Sequence, residues 1–250
     1  MSIESINTHR DISSELNNKS YIMLAADDFS INPALIDAKQ CLWSDFDKLE
    51  PDDYLKDGAR FRLRRFANFY FQPSTQEILP FPHTTYFQDE SLNSYAGGIE
   101  RKLAHLTDST LSNPFLHELI KFNFRNFPVD SERAGHSWNV DVHQIRIVAT
   151  PDEVGEPTPE GIHHDENDFI CMHLAKRHNT AGGINTVYNN NQIALESHTL
   201  HNPMDSVIMW DPRVMHGVTP IRPQDPNKQA VRDMLLIGYN HAPDLNRPVN

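Results

Sequence analysis

From residue 138 onward the chain is built of short strand-like runs, and this rhythm limits its fold more than any other feature. Apolar and β-branched stretches at 140–149, 168–174, 184–188, 206–210 and 231–239 alternate with turn-forming segments at 151–161, 181–183, 189–191 and 222–228. No run is long enough for a helical bundle. The 17 prolines outnumber the 10 glycines, which also favours loops and short elements over long helices. Short strands at this spacing predict a sheet sandwich or barrel.

The first 137 residues read differently. Residues 11–18 predict a short helix and 21–24 a short buried strand. Asn32-Pro33 is a helix start, with a capping side chain followed by a proline suited to the first turn. Leu35, Ala38, Leu42, Phe46 and Leu49 follow at spacings of three and four, giving one apolar stripe as far as Leu49. Asn113-Pro114 repeats the device, with Phe115, Leu119 and Phe122 on one side. Between these helices, residues 60–70 alternate arginine with apolar side chains and predict a strand with one charged face. That face either meets solvent or turns arginines into a cleft to grip an anionic substrate, since a guanidinium holds a carboxylate through two parallel hydrogen bonds. With no internal repeat and no linker, the expectation is a single domain over 1–250: a helix-rich part, 1–137, packed on a metal-binding β-core, 138–250.

Composition excludes several function classes. A net charge of −12 disfavours nucleic acid and anionic membranes. No apolar run approaches the roughly 20 residues of a membrane helix, and the start Met1-Ser2-Ile3-Glu4-Ser5 carries no secretory leader pattern. Two cysteines, Cys41 and Cys171, are too few for a disulfide scaffold or a Cys-rich zinc site. A cytoplasmic protein is expected, with Cys171 in the core.

Chemistry enters with the 14 histidines. His-x-acid occurs three times, at His9/Asp11, His163/Asp165 and His164/Glu166, and about two matches arise by chance in such a composition. His9 lies in a polar stretch without a strand signal. The other two overlap. In extended chain, residues i and i+2 point the same way, so either His163 and Asp165 or His164 and Glu166 project together. The first register places Ile162 and His164 on the opposite face. His216, about fifty residues on, follows an apolar run and a proline turn, with Gly217 beside it giving room. Two histidines and a carboxylate on one face of an octahedral ion leave the other face open, the geometry of non-haem Fe(II) oxygenases. Arg232 sits in the apolar run 230–239 and needs a partner. Asp233 or Asp211 is the internal candidate. The far carboxylate of a keto-diacid cosubstrate, 2-oxoglutarate, is the functional one, where bidentate recognition favours arginine over lysine.

His143-Gln144-Ile145-Arg146, Ile162-His163-His164-Asp165, Met172-His173-Leu174, Asn179-Thr180-Ala181-Gly182-Gly183, the stretch from Val214 to Pro220 and Arg232-Asp233-Met234-Leu235-Leu236 together resemble the bacterial Fe(II)/2-oxoglutarate-dependent dioxygenases of the L-isoleucine 4-hydroxylase-like family, which act on free L-amino acids. The resemblance covers most of the chain. It implies a mainly β protein with flanking helices around a double-stranded β-helix, the jelly-roll or cupin-like core. It implies Fe(II) on His163, Asp165 and His216, which would be both catalytic and metal-binding, 2-oxoglutarate on Arg232, and O2 as the oxidant. Many wider relatives carry serine two residues after that arginine. This chain has Met234, leaving Thr219 and Tyr188 as candidate second donors to the cosubstrate. The expected reaction is hydroxylation of a free, aliphatic L-amino acid such as isoleucine or leucine, with release of succinate and CO2. Arg62, Arg64 and Arg146 are candidates for its carboxylate, and His143 for either charged end. The competing readings are a cupin-like metal enzyme without 2-oxoglutarate, using His173 or His143 as further ligands, the same chemistry on a peptide or carrier-bound substrate, and a binding protein with incidental histidines.

Overall fold

A computed structural model describes residues 5–88, 95 and 97–248; residues 1–4, where a leader was sought, lie outside them. The main strands are β1 (Tyr21–Leu24), β2 (Arg62–Gln72), β3 (Trp138–Ala149), β4 (Phe169–His178), β5 (Ile184–Tyr188), β6 (Ala194–Thr199), β7 (Ser206–Met209), β8 (Met215–Val218) and β9 (Ala230–His241). The helices of eight residues or more are α1 (Ile12–Lys19), α2 (Ile36–Ser44) and α3 (Pro114–Arg125).

The large sheet runs β1-β7-β4-β9-β3-β2 and is antiparallel throughout these pairs. Facing it, a small sheet runs β6-β5-β8, and His163 bridges to His216 on the free side of β8. From β3 on, the chain crosses back and forth between the two sheets. β3, β4, β7 and β9 enter the large one; the segment at His163, then β5, β6 and β8, enter the small one. This is jelly-roll winding. Among the described residues no helix is long and apolar enough to cross a membrane.

Period-two alternation decides which side chain meets which layer. Phe69, Phe71, Val140, Val142, Cys171, Ile237 and Tyr239 point outward from the large sheet into one core with Leu42, Phe46, Phe115, Leu119, Ile120 and Phe122 of the helical layer. Ile170, Met172, Leu174 and Met234 point inward toward the small sheet and meet Val187 and Val214. The charged face of β2 is the inward one. Arg62 and Arg64 are buried there, whereas Arg65 points out to Glu50 and the carbonyls of Lys48 and His105.

α1 and α3 begin where the sequence predicts. Asp11 accepts the N–H of Ser14, and Asn113 those of Phe115 and Leu116. The helix expected from Pro33 to Leu49 is broken into three pieces: a 3-10 turn Pro33–Leu35, α2, and a 3-10 turn Asp45–Lys48. The last piece forms around Asp45. Its Oδ2 accepts from Thr107 (2.9 Å), Ser109 (2.6 Å) and Thr110 (2.8 Å), and its Oδ1 from Lys48 (2.6 Å). Burial opposes the charge of Asp45, but these four bonds outweigh it and hold the carboxyl down at about 2. A folded-state value below the ordinary 3.8 gives stability that is present above that value and lost as pH falls toward 2. Asp45→Asn should cost about 1–3 kcal/mol at neutral pH. In urea unfolding, the gap from the parent protein should close between about pH 4 and pH 2.

Candidate metal centre

His163 and His216 face each other across two backbone hydrogen bonds, N–H to carbonyl in both directions at 3.0 Å. Residues exchanging both bonds in an antiparallel pair present their side chains on one side of the sheet, and the two rings lie 4.4 Å apart at their centroids. Two residues on, Asp165 turns its carboxylate between them. Its Oδ2 is 2.9 Å from His216 Nε2 and its Oδ1 3.5 Å from His163 Nε2. One ligand atom from each of the three lies within 4.8 Å of the others. His164 turns the other way, its Nδ1 2.7 Å from the carbonyl of Asp211.

The donor set fits a divalent ion. His163 Nδ1 lies 3.0 Å from the Gly161 carbonyl, so Nδ1–H donates there and the Nε2 lone pair is left facing Asp165. Burial alone would lower the His163 pKa, but the Asp165 hydrogen bond and charge, with the Glu160 carboxylate at 3.2 Å, push it up to about 9. Burial would raise the Asp165 carboxyl, yet the two imidazoles hold it well below the ordinary range. The negative charge that raises His163 would equally favour a metal cation among the three groups.

The loop carrying His163 and Asp165 is pinned by Asp211. This carboxylate is 1% exposed and accepts the backbone N–H groups of Asp165 and Asn167, each at 3.1 Å. Burial and the Asp165 charge push Asp211 up to about 6.

The triad opens on a cavity of about 770 Å³, mouth included, whose far end is Arg232. Arg232 is 3% exposed and donates to Asn185 Oδ1 at 3.0 Å; its Nε has no partner among the described residues. It forms no ion pair among the described residues, and burial, helped by the neighbouring Arg177, lowers its pKa to about 10. A buried guanidinium without a counter-anion, separated from the triad by Met172, Met234 and Leu236, fits the distal carboxylate of a keto-diacid.

Residues 44–238 match the family described as 2OG-Fe dioxygenase. The chain belongs to this family. It is 25% identical over 202 residues to L-isoleucine-4-hydroxylase of Bacillus thuringiensis, an alignment spanning 79% of this chain and 80% of that one. The crystal structure of IDO from the same species superposes with a TM-score of 0.75 at 19% identity, covering 92% of this chain and 97% of the other. A bsmA homolog from Methylobium petroleophilum PM1 superposes with a TM-score of 0.79 at 27% identity, over 92% and 93% of the two chains. The protein is therefore a non-haem iron, 2-oxoglutarate-dependent oxygenase using Fe(II), 2-oxoglutarate and O2. His163, Asp165 and His216 are the residues that would hold the ion.

Several expected site residues stand elsewhere. Arg146 faces the opposite side of the sheet, where Asp233 grips it at 2.7 and 2.8 Å and Asp47 at 2.9 Å; even residues of β3 point outward, away from the cavity. Thr219 Oγ1 accepts the N–H of Ile184 at 2.9 Å, and neither Thr219 nor Tyr188 lines the cavity. The partner Arg232 does have is Asn185. Asp233, offered as the ion-pair partner of Arg232, is taken by Arg146 because adjacent strand positions face opposite ways. Gly217 is not needed for room: a Cβ there would make only ordinary contacts, the nearest at 3.6 Å. Arg62 lines the cavity but is matched by buried Asp52 at 2.7 Å. Arg64 lines it without an ion-pair partner among the described residues, and His143 stands behind Arg64, its Nδ1 accepting at 2.9 Å. Asn185 and Arg101 are site residues the sequence did not signal, and Asp211, offered as an ion-pair partner of Arg232, instead accepts the backbone N–H groups of Asp165 and Asn167. Asp211→Ala should weaken Fe(II) binding by about 10- to 100-fold, read by anaerobic metal titration, while the fold persists by circular dichroism.

Proposed function

We propose that this oxygenase hydroxylates a free L-amino acid and releases succinate and CO2. The observation that carries the reading is a pair of guanidinium groups on the wall of the metal cavity. Arg64 and Arg101 lie over the Tyr86 ring, 5.0 and 4.7 Å from its centroid. Both are buried, both line the cavity, and neither has a carboxylate partner among the described residues. With Arg62 neutralised by Asp52 and Arg232 assigned to the cosubstrate, two positive charges remain for the primary substrate. A carboxylate answers them. The likeness to L-isoleucine-4-hydroxylase supports an amino acid as its bearer.

When bound, Fe(II) and 2-oxoglutarate supply the oxidation of an unactivated C–H bond. The protein's part is aim and exclusion of water. Arg232 and Asn185 would hold the far end of the cosubstrate. Ile145, Met172, Met234 and Leu236 line the path between it and the triad with apolar side chains. His143 orients Arg64. Burial, then the Arg64 charge, lowers its pKa to about 4, so the ring is neutral, accepts from Arg64 through Nδ1 and offers Nε2–H to Asp141 at 3.3 Å. A metal enzyme with His173 as a further ligand finds no support: that ring points to the opposite face of β4, between Asn123 and Ser206.

Anaerobic loading with Fe(II) and 2-oxoglutarate, then admission of O2 with a panel of free L-amino acids, tests the reading. Succinate and a product heavier by one oxygen atom are expected for at least one amino acid; activity confined to peptide or carrier-bound substrates would overturn it. Arg64→Ala should raise the amino-acid KM by about 10- to 100-fold, the loss of a charged hydrogen-bonded contact. Arg232→Ala should raise the 2-oxoglutarate KM by a similar factor. The two effects should separate in steady-state kinetics.

A further inference from the structure

Beyond Asp165 the cavity continues into a second chamber of about 660 Å³, mouth included. Its character follows from the long strands. Inward positions of β9, β3 and β2 pair as Met234–Ile145–Arg64, then Leu236–His143–Phe66, then Gly238–Asp141–Asn68, with Asn240 opposite Asn139 one step further. The aliphatic steps lie toward Arg232. The polar steps lie past the triad, and among the described residues the second chamber is lined by asparagines and the carboxylates Asp141, Asp165 and Glu166 beside the rings of Phe66, Tyr86 and Phe87, with no aliphatic side chain. From this arrangement we infer that the chamber is the substrate's side-chain subsite and that the preferred amino acid carries an uncharged hydrogen-bonding group, a carboxamide or a hydroxyl, rather than an aliphatic chain. The inference rests on the amino-acid reading above.

The subsite is organised around Asp141. Asn167 donates to Asp141 Oδ2 at 2.8 Å, and Asn139 Nδ2 donates to Asn68 Oδ1 at 3.3 Å. Asn240 Oδ1 accepts the N–H of Asp168 at 3.2 Å. The absence of a side chain at Gly238 is what lets Asp141 and Asn167 meet: a Cβ there would lie 2.4 Å from Asp141 Oδ2 and 2.5 Å from Asn167 Nδ2. These bonds leave Asn139 Oδ1 as an acceptor, and the Nδ2 groups of Asn68 and Asn240 as donors, without protein partners among the described residues. Asp141 forms no ion pair with lysine or arginine among those residues, and His143 beside it is neutral. An ammonium would pair with Asp141 but, donating only, would leave both amide donors idle. A carboxamide or hydroxyl offers donor and acceptor together. A leucine or isoleucine side chain would cover all of them with methyl groups, and sites built to hydrogen-bond a substrate discriminate strongly against analogues lacking the group.

The test compares L-glutamine, L-asparagine, L-threonine and L-serine with L-leucine and L-isoleucine. Anaerobic calorimetry on the enzyme loaded with Fe(II) and 2-oxoglutarate gives binding, and kcat/KM in air gives turnover. At least one polar amino acid should be favoured over both aliphatic ones by about tenfold or more in each. Asn139→Leu should shrink that ratio, with the thermal unfolding midpoint reporting that the variant is folded. Equal or tighter binding of leucine or isoleucine overturns the inference. So does a folded Asn139→Leu protein that loses affinity for every amino acid alike, since the chamber would then hold the head group they share. Both outcomes leave the amino-acid reading standing. If no free amino acid binds or turns over, that reading falls and takes the inference with it.

Discussion

The site depends on one short backbone contact, the reciprocal hydrogen-bonded pair between His163 and His216. It joins a loop that has just left β3 to a strand near the end of the chain, and it sets two imidazoles on the same side of the small sheet. Asp165 gains its position from the same contact, one pleat further, and from Asp211, which holds the backbone of Asp165 and Asn167. A slip of one residue in this pairing would exchange His163 for His164 and turn the metal face outward. The jelly roll thus acts as a register device: its long antiparallel ladders prevent the slip.

A second constraint is charge buried inside the barrel. Among the described residues four arginines face the cavity, Arg62, Arg64, Arg101 and Arg232, and of these only Arg62 has an acid of its own there. Burying a guanidinium without a counter-anion costs free energy, and the chain bears that cost in three places within one cavity. Two anionic ligands, a cosubstrate and a substrate, would restore the balance. An anion bound against these guanidiniums would therefore stabilise the fold through linkage.

Much of the metal half was legible because the signals are local. Strand period, turn residues and His-x-Asp spacing all lie within a few positions of one another, and the resemblance chose between registers that spacing left open. The strand β6 was missed because its side chains are nearly all exposed and its two apolar residues, Ala194 and Leu195, are adjacent, so it carries no apolar alternation. α2 ends early because Asp45 is drawn to Thr107, Ser109 and Thr110, some sixty residues away, and no stripe of apolar residues records that. Arg101, Asp141 and Asn185 escaped for the same reason, and Asp211 was offered to Arg232 rather than to the loop it pins. Each owes its place to partners on distant strands. Arg146 was misplaced by a single position of strand parity: its neighbours Ile145 and Ile147 face the cavity, and it faces out.

The most direct check is an anaerobic titration of the metal-free protein with Fe(II), followed by 2-oxoglutarate, watched in the visible spectrum. The account predicts one iron per chain and a charge-transfer band that grows as the keto-acid chelates it, both abolished in Asp165→Ala and His216→Ala proteins that remain folded. Iron bound with unchanged stoichiometry and an unchanged band in those variants would place the metal elsewhere and contradict it.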